Sequence, residues 1–151
     1  MRRFGVPAAL GLLVLLALSI GLRLSARLPR GPQPISWDRE ACAECHMHIG
    51  DPRFASQLQT REGDVLNFDD PGCLLRYEAE RRPAVHARYF HALSAERWLE
   101  ASAVAFVRVP ETPMGFNLGA VPAGTPGALT LAEAQAACAR SDDKAGSAVA
   151  R

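Results

Sequence analysis

Apolar positions along the chain fall into two regimes. From Phe4 to Leu22, nineteen residues pass without a charge, between Arg3 and Arg23. That length matches the roughly 20 residues of a helix that crosses a bilayer. Beyond it the apolar residues come in short runs. Leu28–Pro34 carries three prolines and a glycine, which exclude a helix and predict an extended linker over 28–36. Arg53–Thr60 alternates weakly and predicts a strand, Arg61–Asp64 a hairpin turn, and Val65–Phe68 the return strand. Asp70 followed by Pro71 is a helix start, because Asp accepts from free N–H groups and Pro lacks one. The helix should run from Cys73 to Arg81 with Leu74, Leu75 and Tyr77 partly buried. Ala84–Leu93 reads as a strand, with Val85, Ala87 and Tyr89 on one face and His86, Arg88 and Phe90 on the other. Ser94 caps a turn or short helix around Trp98. Ala103–Val109 and Phe116–Val121 are strands around the turn Glu111–Gly115. Thr130 with Glu133 is a capping box that opens a helix to about Arg140. The small, polar stretch 141–151 predicts a disordered tail. The expectation is therefore an α+β domain over 37–140, built of two similar ββα-type halves, with no internal sequence repeat to mark the duplication.

The apolar N-terminus exceeds the 7–15 residues usual for the core of a cleaved signal, and Leu24-Ser25-Ala26 makes a poor cleavage site. Residues 1–27 are read as a signal anchor. The flanking charges are nearly balanced, Arg2 and Arg3 against Arg23, Arg27 and Arg30. An N-terminal anchor commonly exports the domain attached to it. The expected location is the inner membrane, single-pass, with the domain facing the periplasm. Net charge is +1 with a pI near 7.7, so nothing marks a nucleic-acid partner. Aromatic residues make up only 7%, which predicts a modest core built from Ala, Leu and Val.

The chemistry concentrates in Cys42-Ala-Glu-Cys45-His46-Met47-His48-Ile49. Two thiols, two imidazoles and a thioether crowd together in a chain with four Cys, four His and three Met. Thiol and thioether sulfur favour Cu(I), zinc or iron–sulfur chemistry, where carboxylates favour Mg or Ca.

Four pieces in order resemble the NosL family of membrane-attached copper chaperones that serve nitrous oxide reductase. They are Cys42–Ile49; Phe68-Asp69-Asp70-Pro71-Gly72-Cys73; Trp98-Leu-Glu-Ala101 with Ala105-Phe106-Val107; and Thr112-Pro113-Met114-Gly115-Phe116. The resemblance implies an extracytoplasmic Cu(I)-binding domain of paired ββα-type halves, like organomercurial lyase. It also implies a copper-accepting enzyme or a copper transporter complex as partner. Two departures stand out. The family usually has Gly where this chain has His46, and many members are lipoproteins where this chain has an anchor helix.

A carrier must hold Cu(I) against water and still release it, which two or three soft ligands in a partly exposed loop achieve. Cys45 and Met47 converge from one turn, and Gly115 gives the Met114 turn a close backbone approach. Cys45, Met47 and Met114 are the expected core ligands, with Cys42 or His48 completing the set. Cys73 stands open between a third thiol near the metal and a small buried residue. His86 and His91 are read as ordinary strand residues, Asp69 and Asp70 as turn and cap, and Cys138 as structural. No nucleophile–base pair or paired catalytic carboxylates stand out, so the chain is read as a binding protein, not an enzyme, acting as a monomer or weak dimer.

Three other readings use the same residues. Cys42-x-x-Cys45-His46 is a c-type haem attachment motif, with His46 and Met114 as axial ligands of an anchored mono-haem cytochrome. Such cytochromes are mostly helical, whereas this chain predicts strands. Cys42 and Cys45 also form the motif of a thiol–disulfide exchanger, which normally opens a helix after a strand. Structural zinc would need a second ligand pair from Cys73 and a His.

Overall fold

The computed structural model describes residues 11–17 and 28–139. Residues 11–17 are helical, and no helix among the described residues is long and apolar enough to cross a membrane. The remainder of the expected anchor, 1–10 and 18–27, and the expected tail, 141–151, lie outside the described residues.

Among the described residues six strands carry the domain: β1 (Ser56–Thr60), β2 (Val65–Phe68), β3 (Val85–His91), β4 (Trp98–Glu100), β5 (Val104–Arg108) and β6 (Leu118–Pro122). The first four form one antiparallel sheet in the order β2-β1-β3-β4, and β5 pairs with β6. Helix α1 (Pro71–Arg81) joins β2 to β3, and a second helix occupies 131–139. The α+β class expected from the sequence is observed. The two similar halves are not, because β3 and β4 extend the first sheet to four strands while the second sheet stops at two.

The two sheets share one core. Phe90 of β3 meets Phe106 of β5 edge-on at 5.0 Å between ring centroids. Leu58, Phe68, Leu74, Leu118, Ala134 and Cys138 close around them. The central strand β1 is buried along its whole length. Leu58 lies in the core, while Gln57 and Gln59 point to the opposite face, as the two-residue period of a strand requires. That face is covered by the extended segment before the domain. Gln33 N–H donates to Gln57 Oε1 (2.8 Å), Gln57 Nε2 to the Gln33 carbonyl (3.0 Å), and Gln59 Nε2 to the Gly31 carbonyl (2.7 Å). The segment read as a linker is thus strapped to β1, with Ile35 in the core.

Two local expectations change. The strand expected from Arg53 begins at Ser56, because Asp51 caps a 3₁₀ turn over Pro52–Phe54, accepting from Arg53 N–H at 3.0 Å. The turn expected at Ser94 forms, but Trp98 itself starts β4, and a 3₁₀ turn follows only at Ala101–Ala103. Trp98 pairs with His91 across the strands, and the two rings meet edge-on at 5.3 Å. Elsewhere the local chemistry is as read. Thr130 N–H donates to Glu133 Oε2 (2.8 Å) and Glu133 N–H to Thr130 Oγ1 (3.3 Å), a reciprocal capping box.

Candidate metal centre

The loop carrying the cysteines is a tight antiparallel excursion. Asp38 N–H donates to the Ile49 carbonyl (3.0 Å), Ile49 N–H to Glu40 (3.0 Å), Cys42 N–H to Met47 (2.8 Å), and His46 N–H to Cys42 (3.0 Å). Ala43 N–H reaches the Asn67 carbonyl on β2 at 2.9 Å, which fastens the loop to the sheet. His46 sits in the left-handed region with φ +62°. That region carries a steric cost for a residue with a Cβ, which glycine would avoid.

Beyond the loop, Asp70 caps α1 by accepting from Gly72 N–H at 2.8 Å, and the first turn of α1 delivers Cys73 into the core. The Sγ atoms of Cys42, Cys45 and Cys73 all lie within 4.8 Å of one another. Three thiolates around one ion at the about 2.3 Å typical of metal–thiolate bonds stand roughly 4 Å apart. The trio therefore needs only sub-ångström adjustment to close on a metal. Cys42 and Cys73 are buried, and Cys45 is half-buried at the mouth.

The three thiols are electrostatically unequal. The Cys73 thiol donates to Cys42, and the backbone N–H groups of Cys45, Asp69 and Glu44 point at the same sulfur. Together they draw Cys42 down to about 5 against its burial, so it is the resident thiolate. Burial pushes Cys45 up. The hydrogen bond to Cys42, followed by burial, pushes Cys73 up.

The Thr112–Phe116 turn is docked against the same helix end. Gly115 N–H donates to the Thr112 carbonyl at 3.1 Å, and Gly115 has φ +74°. Met114 N–H donates to Asp70 Oδ2 at 3.1 Å. Phe116 packs against Gly72, where an added Cβ would stand 1.9 Å from Phe116 Cγ. The Arg76 guanidinium covers that ring at 5.2 Å.

The residues expected to ligate thus divide. Cys42 and Cys45 come together, joined by Cys73, whose role the sequence left open. Met47 (59% exposed) and Met114 (37% exposed) lie on the solvent side, with His46 and His48 exposed at the loop's outer end. His86 is exposed on β3, and His91 is buried against Trp98. Cys73, left open by the sequence, is the third member of the cluster, and Asp70 as more than a cap escapes sequence reasoning. The signal for Cys73 is its place in the first turn of a helix started by Asp70-Pro71.

The haem reading expects both motif thiols to reach a porphyrin edge. Cys42 is 1% exposed and packed on Cys73, and the domain is built on antiparallel strands. The exchanger reading expects the motif to open a helix; Ala43–Cys45 instead forms a turn.

No protein-family model matches the chain, and no curated protein matches it. Among solved structures it is similar to the copper chaperone NosL from Shewanella denitrificans. The TM-score is 0.50 and the identity 21%, over 74% of this chain and 88% of the other. The chain has a NosL-like fold. In this NosL-like domain, the first, second and fourth of the motif pieces read from the sequence meet at one place. They are the cysteine loop, the N-terminus of α1 and the Thr112–Phe116 turn.

Proposed function

We propose that the chain is an extracytoplasmic Cu(I) carrier, attached to the inner membrane through residues 1–27 with its domain in the periplasm. It would deliver the ion to a copper enzyme such as nitrous oxide reductase, or to a copper transporter complex. The observation that supports this most is the convergence of Cys42, Cys45 and Cys73 beside a turn bearing an exposed methionine, in a NosL-like fold. Thiolate donors with thioethers at the mouth suit Cu(I) better than zinc, which takes Cys, His and carboxylate ligands and no thioether. Copper here is cargo. It enters by ligand exchange, held first by Met47, Met114 and His48 at the surface and then by the cysteines, and it leaves by the reverse path onto the partner's sulfur or imidazole ligands. No bond in a substrate is made or broken, so the role is that of a carrier and not of an enzyme.

The test is an anaerobic Cu(I) competition titration against a chromophoric chelator, with the full-length chain. Replacing Met47→Ala together with Met114→Ala should weaken binding far more than His86→Ala. Equal effects would remove the thioether assignment, and no Cu(I) binding at all would remove the carrier reading.

A further inference from the structure

Asp70 does more than a helix cap requires. A cap needs one acceptor for one free N–H, and Ser or Asn serves as well as Asp. Asp70 is wholly buried, and both of its carboxylate oxygens are engaged. Oδ1 accepts from Gly72 N–H at 2.8 Å, and Oδ2 accepts from Met114 N–H at 3.1 Å, 44 residues away in sequence. The Thr112 hydroxyl also donates to this carboxylate. The same hydroxyl oxygen accepts from Asn117 N–H at 3.1 Å, which ties the far end of the turn. A carboxylate is retained in a protein interior only where donors replace its water. Here the donors come from two segments: one leads directly into Cys73, the other carries Met114. A neutral cap would satisfy the helix and leave the Met114 turn without its anchor.

We infer that Asp70 is a positioning residue for the copper site: its second carboxylate oxygen fixes the Thr112–Gly115 turn so that the Met114 thioether is held at the thiol cluster. The inference rests on the carrier reading for its consequence, but its structural half does not. Outer groups that orient metal ligands typically change affinity by about 10- to 100-fold when removed, and Asp70 belongs in that range although it does not ligate.

The variant that separates the two duties is Asp70→Ser. Serine keeps an acceptor for Gly72 N–H and cannot also reach the Met114 amide. Full-length protein labelled at methionine methyl carbons is compared with the wild type, with Met114→Leu and with the double variant. In Asp70→Ser, hydrogen exchange at the Met114 amide should accelerate by about tenfold or more. The Met114 methyl resonance should lose its shift on Cu(I) loading, while that of Met47 keeps its own. Cu(I) affinity should fall about tenfold, as in Met114→Leu, and combining the two should cost no more than either alone, since both remove one interaction.

A wild-type response at the Met114 amide and methyl in Asp70→Ser would overturn the inference. So would losses that multiply in the double variant, which would make Asp70 a stability residue only. If Asp70→Ser fails to fold, Asp70→Asn gives the same readings, because its oxygen still accepts from Gly72 N–H and its amide nitrogen cannot accept from Met114 N–H. If wild-type protein binds no Cu(I), the carrier reading fails, and the amide exchange still decides whether Asp70 holds the turn.

Discussion

Cys73 is the residue on which the copper reading turns, and Cys73→Ala is the perturbation that weighs it. The substitution deletes one buried sulfur and the thiol that donates to Cys42. Removing one buried heavy group of that size costs about 0.5–1.5 kcal/mol, as for Ile→Val. The hydrogen bond adds about 1 kcal/mol. The metal-free fold should therefore lose roughly 2 kcal/mol and remain folded if its stability is ordinary. Copper affinity should suffer more. Loss of a mere outer partner costs about 10- to 100-fold, so loss of one of three thiolates should exceed about 100-fold, or about 2.7 kcal/mol. Cys138→Ala is the control, since Cys138 is also a buried core cysteine but lies in the helix over 131–139, outside the cluster. It should lower stability by about 1 kcal/mol and leave copper affinity within about threefold. Both variants are read by anaerobic chelator competition for Cu(I) and by metal-free thermal melts. If Cys73→Ala binds Cu(I) as tightly as Cys138→Ala does, the trio is packing and not a site.

The geometry carries three further expectations. Metal–thiolate binding displaces protons, and Cys42 already sits near 5 while Cys45 and Cys73 are raised. Loading at pH 7 should therefore release about two protons per Cu(I), read by calorimetry in buffers of differing ionisation enthalpy. Affinity should drop as pH falls, more steeply once pH passes below about 5 and Cys42 too must lose a proton; release of three protons at pH 7 would mean that Cys42 is no resident thiolate. His46→Gly relieves a left-handed residue and should stabilise the fold by up to about 1 kcal/mol after glycine's entropy is counted. Unchanged Cu(I) affinity in the same variant would exclude the His46 side chain as a ligand. Gly72→Ala drives a methyl into Phe116, so melts should show about 1–3 kcal/mol of destabilisation with weakened Cu(I) binding; a neutral result would mean that the Phe116 turn is not seated on α1 in solution.

Much of this fold is legible in the sequence, and the misses have physical causes. The hairpin turn at Gly63, the Asp70-Pro71 helix start and the Thr130–Glu133 capping box are local, and each appears where its chemistry places it. Pairing partners are not local. Nothing in the order of elements says that β3 lies against β1 instead of founding a second sheet, so pattern alone makes the two halves look equal. Trp98 is misplaced for the same reason, since what makes it a strand residue is its neighbour His91 across the ladder. Pro52 ends the early strand because Asp51 offers a cap that alternation counts ignore. At the site, Cys42 and Cys45 are evident from spacing. Cys73 is not, because its approach depends on how α1 meets the loop, and Asp70's second bond spans 44 residues.

The layout accounts for why a carrier would combine two kinds of sulfur. The thiols lie inward, where Cys42 is held ionised by donors that do not have to be rebuilt when the ion arrives. The thioethers lie outward at Met47 and Met114, where water and a partner can reach them. A thioether carries no charge and needs no deprotonation, so an ion passing over it meets no proton barrier. It also forms no disulfide outside the cytoplasm, where thiols do. On the carrier reading, the interior trio holds the ion most tightly, and the rim thioethers add to affinity and carry exchange. Both meet at the N-terminus of α1, where Gly72 admits Phe116 and Asp70 joins the Met114 turn to the helix. A change at that junction should therefore alter exchange with a partner as well as stability, because Phe116 and the first turn of α1 pack on the same core as Phe90 and Phe106.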